Sequence, residues 1–273
     1  MINEGRLLSL HGVVKTHVWA FLILAVILFA LGAIQLPLMV SAHLQGHSDL
    51  KTLLISVIIS MLSAISLLVL KRLITPQHIY QLHENGVLVI NQHTKKQRFI
   101  PFEKIIDTYS FDVKNKNNSN VNSMIFREEG HDTWHKITGN ISHATQLITI
   151  IKKQQLITRG SEALQRLAQG ETISFTYLSS KHNKTKYYLA GDFIKINEKN
   201  LYLSARELLT QEGKRIAITE IDCIKKELSH QTIKLLNADS EALLILGYDQ
   251  LFSADLFIAL LSHMIENRIP VNQ

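Results

Sequence analysis

A chain of 273 residues can hold one large domain or two ordinary ones. Its 46% hydrophobic content is gathered near the start, so a whole-chain average describes neither part. Residues 1–75 carry five Lys/Arg against two Asp/Glu and the remainder 24 against 21, a balance too mild for a nucleic-acid reader. The single cysteine, Cys223, excludes an intrachain disulfide framework. In the apolar stretch Ile221 to Ile224 it reads as a buried, inert thiol.

In chain order, Val18 to Val40 is an uncharged run of 23 residues. At about 1.5 Å per residue it crosses a hydrocarbon layer of roughly 30 Å with some tilt. Val40-Ser41-Ala42 resembles a signal-cleavage site, but the run exceeds the usual signal core of about 7–15 residues, so a retained span is expected. A second run, Leu53 to Leu70, ends at Lys71 and Arg72, the expected membrane-interface cations. Only Ser41 to Thr52 separates the runs, which predicts an antiparallel hairpin. Arg6, Lys15, Lys71 and Arg72 flank it outside against Lys51 in the connection, which predicts both termini and the soluble part on the cytoplasmic side. Ser56, Ser60, Ser63 and Ser66 form a stripe at helical spacing, read as helix packing; a transport path is the alternative.

After Thr75-Pro76 the pattern becomes short runs broken by turn residues, as strands require. Ile79–Leu82 and Val87–Ile90 are a predicted hairpin about Asn85-Gly86, with positive φ expected at both. Gln97–Ile100, Ile105–Val113, Ser123–Arg127 and Thr133–Ile137 continue the series. The Asn-rich run Lys114 to Asn122 reads as a loop. Ser142 is the expected N-cap of a helix through Leu147 and Ile151, and a short helix, Ser161–Ala168, is expected to follow.

Downstream, strands are expected at Thr172–Leu178, Tyr187–Ala190, Phe193–Asn197, Leu201–Ser204, Thr232–Leu236 and Ala242–Leu246. A final helix opened by Ser253 carries Leu256, Phe257, Leu260, Leu261 and Met264. The segment at 102–111 resembles that at 217–226 with Ile106 on Ile221, and Ser142 falls on Ser253. Two copies of one fold are the preferred reading, and one larger α+β domain stays open.

No Gly-rich phosphate loop, Gly-x-Ser-x-Gly elbow or His-Glu-x-x-His helix occurs. His131, Asp132 and His135, and separately His43, His47 and Asp49, are metal-ligand types without a recognised spacing, so no metal and no cofactor is expected. His83-Glu84 reads as turn chemistry, and no catalytic residue is assigned.

A hairpin followed by HENGVLVI (83–90), KKQRFIPFEKIIDTY (95–109) and a closing helix resembles the bacterial pleckstrin-homology-like membrane proteins. GDFIKIN (191–197) and RIAITEIDCI (215–224) carry the likeness in the second copy. The resemblance implies an α+β protein: a transmembrane helical hairpin (1–75), then two tandem PH-like barrel or bent-sheet modules (76–158 and 159–273, the second with a linker helix), each closed by a C-terminal helix. It also implies a bacterial inner-membrane setting. In lipid-reading members a basic cluster lies on an early loop, a role matched here by Lys95, Lys96 and Arg98, and by Lys181, Lys184 and Lys186. The expected function is a membrane-anchored binding or scaffolding protein, its partners the lipid bilayer with anionic head groups or a membrane-associated protein. A membrane-bound enzyme and an accessory subunit of a transport assembly are the alternatives.

Overall fold

The computed structural model describes residues 3–44, 50–114, 120–131, 133–178, 198–227 and 232–269. Its class is α+β, with two N-terminal apolar helices, two later helices and four antiparallel sheets among the described residues.

The apolar runs form α1 (Lys15–Leu44) and α2 (Leu50–Ile74), which are long and apolar enough to cross a membrane over Val18–Leu38 and Leu54–Leu73. Small residues let them approach. Ala25 and Gly32 on α1 and Val57 and Ala64 on α2 are buried, and a Cβ added at Gly32 would lie 3.4 Å from Met61. Ser56, Ser60 and Ser63 are half-buried beside this seam, whereas Ser66 is exposed. The other faces present Ile23, Ile34, Ile55 and Ile59 outward.

One strand was not expected. β1 (Leu7–His11) precedes α1 and pairs antiparallel with β2 (His78–His83), which follows α2. The connectors Gly12–Val14 and Thr75–Gln77 therefore leave from one end of one sheet, so both outer ends of the hairpin lie on the same side. The Thr75 hydroxyl donates to the Lys71 carbonyl at 2.8 Å and helps end α2 before Pro76.

β3 (Gly86–Asn91) and β4 (Gln97–Pro101) complete a sheet of order β1-β2-β3-β4. Neither Asn85 nor Gly86 has positive φ, which corrects the expected turn. Gly86 is required for another reason: it pairs with Pro101, and a Cβ there would meet the Ile100 carbonyl oxygen at 2.4 Å.

A 3-10 turn, Phe102–Lys104, leads into β5 (Ile105–Lys114), β6 (Asn120–Glu128) and β7 (Trp134–Ile137), a second sheet. Pairing of Asp112 to Lys114 with Asn122 to Asn120 draws both ends of the Asn-rich run into strand, shortening the expected loop. Helix α3 (Ala144–Ala168) runs unbroken, where two helices were expected. Its Leu147, Ile148 and Ile151 share a core with Tyr80, Val89, Ile100 and Phe126 from both sheets. Its Ala163 and Leu167 are buried in a second core with Phe175, Leu203 and Phe257, so one helix serves both halves.

Among the described residues, and leaving α1 and α2 aside, the second half has the same order of elements. β8 (Ile173–Leu178), β9 (Glu198–Leu203), β10 (Glu207–Thr210) and β11 (Arg215–Ala217) form a four-stranded sheet. A 3-10 turn, Ile218–Glu220, is followed by β12 (Cys223–Glu227), β13 (Thr232–Leu236), β14 (Ala242–Gly247) and α4 (Ala254–Glu266). The expected strands at 187–190 and 193–197 lie outside the described residues. Strand β10 was missed because only Leu208 and Leu209 are apolar between Glu207 and Thr210.

Both halves tie their first strand to the approach to the helix. Val13 bridges Ile141 and Tyr177 bridges Leu251. The Ser142 amide donates to Gly12 at 2.8 Å, and the Phe252 amide to Thr176 at 2.9 Å. The helix-opening residues are both left-handed, His143 at φ 53° and Ser253 at φ 50°, without a side-chain cap bond. This corrects the N-cap assignment: the Ser142 hydroxyl accepts from the Gly12 amide at 3.0 Å instead. In local geometry Ser253 resembles His143 rather than Ser142, and Ile221, like Ile105 rather than Ile106, follows a 3-10 turn. Among the described residues no sheet closes on itself.

Candidate functional site

The best-defined of the expected sites is the β3–β4 turn. The Asn91 side-chain oxygen accepts from the His93 and Thr94 amides at 2.9 and 3.0 Å, an Asx turn that bends the chain. Lys95 then takes φ 57°, its amide on the Asn91 carbonyl at 2.9 Å. The Gln92 amide donates to Gln77 at 2.8 Å, fixing the turn to the connector that leaves α2. Lys95 and Lys96 are exposed, at the same end of the sheet as Lys71 and Arg72 in the last turn of α2. Lys95 and Lys96 therefore stand at the end of the sheet to which the connector from Lys71 and Arg72 leads.

Arg98 does not join them as a free cation. Its Nη2 lies 2.6 Å from the Glu128 carboxylate, which also accepts from Nε at 2.9 Å. Glu128 is buried, and a buried carboxylate needs such a partner. Lys181, Lys184 and Lys186 lie outside the described residues.

A second constellation joins the halves. The Gln155 amide nitrogen donates to the Ile106 carbonyl at 3.1 Å and to the Ser253 hydroxyl at 3.0 Å, while its oxygen accepts from the Thr108 hydroxyl at 2.9 Å. The Ser253 amide donates to the Thr108 carbonyl at 2.6 Å, and the Thr108 amide to the Ser253 hydroxyl at 3.2 Å. Tyr109 donates to the Asp249 carbonyl at 2.6 Å and packs edge-on against Phe252. Beside this node Lys152 pairs with Asp255 at 3.0 Å, and the Tyr248 hydroxyl donates to the same carboxylate. Burial pushes the Asp255 carboxyl up, but Lys152, Tyr248 and Lys226 together hold it below its ordinary value. Thr108, Ser110, Tyr248, Leu251, Ala254 and Asp255 face one another there across a crevice too tight to hold a water molecule. The groups are consumed by one another, which fits a junction between halves. Sequence reasoning missed it because Gln155 has no signature on a helix surface.

The other candidates separate. His135 is buried against Phe126 and His78, with ring centroids 5.3 and 6.0 Å away, while His131 is exposed. Asp132, His47 and Asp49 are outside the described residues, as is the side chain of His43. Glu84 accepts from the Arg6 amide at 3.0 Å, whereas His83 lies against the Gly5 carbonyl and Phe99, so these neighbours do not converge. Cys223 is exposed, correcting the buried reading. It opens β12 opposite Leu236, and alternation turns Ile224 inward and Cys223 out.

Burial lowers the His135 pKa to about 4, helped by His78, Arg98 and His131, and burial also lowers His78 and His11. These groups bind protons more weakly when folded than when unfolded. Stability is therefore complete above about pH 6.5 and falls as pH drops towards 4, with His135 contributing about 3 kcal/mol to that loss. His135→Phe should flatten the acid limb of thermal stability against pH by about that amount; an unchanged limb would assign acid sensitivity to other groups.

Comparison with protein-family models and with curated proteins gives no match for this chain.

Proposed function

We propose that this chain is a membrane-anchored binding protein: α1 and α2 cross a bilayer, and two PH-like modules hold a basic surface against the cytoplasmic leaflet of an inner membrane. The order of elements in the two halves, and their matched first-strand closures, support reading them as two copies of one fold. In this reading the hairpin is an insertion between the first and second strands of the first copy.

The observation that carries the binding role is the hydrogen bond from Gln92 to Gln77, which ties the Lys95-Lys96 turn to the outer end of α2. The ligand is the anionic head-group layer. Each cation near such a surface contributes about 1 kcal/mol, and tethering raises the local concentration enough for weak contacts to count. Arg98 is assigned to the fold through Glu128, so the lipid-binding set is Lys95, Lys96, Lys71 and Arg72. The faces away from the membrane remain for a protein partner.

The test uses a chain in which residues 15–74 are replaced by a short Gly/Ser linker, so that binding is not dominated by the spans. Lys95→Ala with Lys96→Ala should weaken partition onto phosphatidylglycerol-containing vesicles by about 2 kcal/mol, roughly 30-fold, with the difference shrinking at high salt. Arg98→Ala should instead lower thermal stability. Equal partition of the double variant and its parent would remove the turn from the function.

A further inference from the structure

We propose that the outer face of the first sheet is seated in the head-group layer of the bilayer, so that the first half lies on the membrane on its sheet. This rests on the reading that α1 and α2 cross that membrane.

Strand alternation sorts the sheet into two faces. Tyr80, Leu82, Val87, Val89 and Ile100 point into the core. The opposite face carries Leu10, Gln81, Leu88 and Phe99 in one row across four paired strands. Ile79, Ile90 and Gln97 form the next row, nearer the connectors. Both rows are uncharged, and five of their seven side chains are hydrophobic. Leu10 is 61% exposed, a large value for a leucine in a paired strand, and Leu7 is 44% exposed. Ile79, Leu88, Ile90 and Phe99 are half-buried, so the face is apolar without being covered, as a docking face is.

Three observations select lipid as its occupant. The connectors Gly12–Val14 and Thr75–Gln77 are three residues each, a reach of about 10 Å, so the apolar rows cannot lie far from the ends of the spans. The packing that sets Gly32 beside Met61 brings Trp19 to the level of the last turn of α2, and Trp19 is 59% exposed, as an interfacial anchor would be. Charge is graded along the sheet: Lys95 and Lys96 stand at the connector end, where anionic head groups would meet them, while the acidic Glu84 is at the far end, paired with Arg6. An edge strand with exposed leucines is otherwise an aggregation hazard, and a bilayer removes it from water.

The test is nitroxide scanning of the full chain in mixed phosphatidylethanolamine–phosphatidylglycerol vesicles. Cys223→Ser supplies the background, and single labels follow Leu10→Cys, Ile34→Cys and Asp239→Cys. Leu10, Ile34 and Asp239 are exposed, so the labels leave the cores intact. The label at 34 should favour oxygen over a water-soluble nickel chelate. The label at 10 should do the same, with an oxygen-to-nickel ratio several-fold above that at 239. A label at 10 that matches 239 while 34 remains in lipid would overturn the seated sheet and leave the spans standing. Shielding of position 10 from both reagents, with spin broadening between chains, would overturn it in favour of a second copy on this face. Free access of nickel to position 34 would overturn the membrane reading itself, and the inference with it.

Discussion

Cutting the chain at Pro76 should leave a soluble part that does not fold in its first half, whereas replacing residues 15–74 by a short linker should preserve it. The difference is β1. It supplies a full edge to the first sheet and buries His11, whose ring contacts the Ser9 hydroxyl at 2.7 Å and the Ser142 carbonyl at 3.0 Å. It also leads into the Gly12 bonds with Ser142 and the Val14 bond to Asn140. With each intramolecular hydrogen bond contributing about 0.5–1.5 kcal/mol net, the lost ladder and closure together amount to about 5 kcal/mol. That is comparable with the whole stability of a small domain, roughly 5–15 kcal/mol. The cut would also expose β2 as a new edge beside apolar side chains, which favours aggregation. Circular dichroism and limited proteolysis of the two variants test this. Identical melting temperatures would show that β1 is dispensable.

Gln155→Leu should destabilise the protein by about 2–5 kcal/mol and loosen the junction between the halves. Gln155 is 2% exposed and serves three partners, the Ile106 carbonyl, the Thr108 hydroxyl and the Ser253 hydroxyl. Leucine fills most of the volume but leaves these groups buried with fewer bonds, and each unmet polar group costs about 1–3 kcal/mol. Thr108→Val removes one orphan, so the double variant should recover part of the loss. A double-mutant cycle gives that coupling directly. Hydrogen exchange should rise at the Thr108 and Ser253 amides, which bond each other's residue across the junction. Additive single effects with unchanged exchange would mean that the node does not hold the halves together. The tie also explains why α3 is continuous: with its first turns in one core and its last in the other, a break near Thr158 would uncouple them.

Much of this molecule was legible in its sequence because two of its patterns are local. A run of 23 uncharged residues is a strong local signal for a long apolar helix, and α1 is that helix. Period-two runs bounded by turn residues located all six expected strands of the first half between β2 and β7 to within a few residues. The basic turn at Lys95 and Lys96 was visible for the same reason, since an exposed loop keeps the chemistry its sequence states. The tertiary structure decided what depends on distant partners. Leu7 to His11 is too short and too close to the first apolar run to declare itself a strand; its partner stands some 70 residues away, beyond the helical hairpin. Arg98 left the basic set because Glu128 from another sheet is buried beside it, and Gly86 proved necessary for the approach of β4 rather than for turn geometry. Ser253 could be seen to open a helix, but only the meeting of two halves made its hydroxyl part of a buried polar node. Periodicity reports which face a residue occupies, and only the packed chain determines what that face meets.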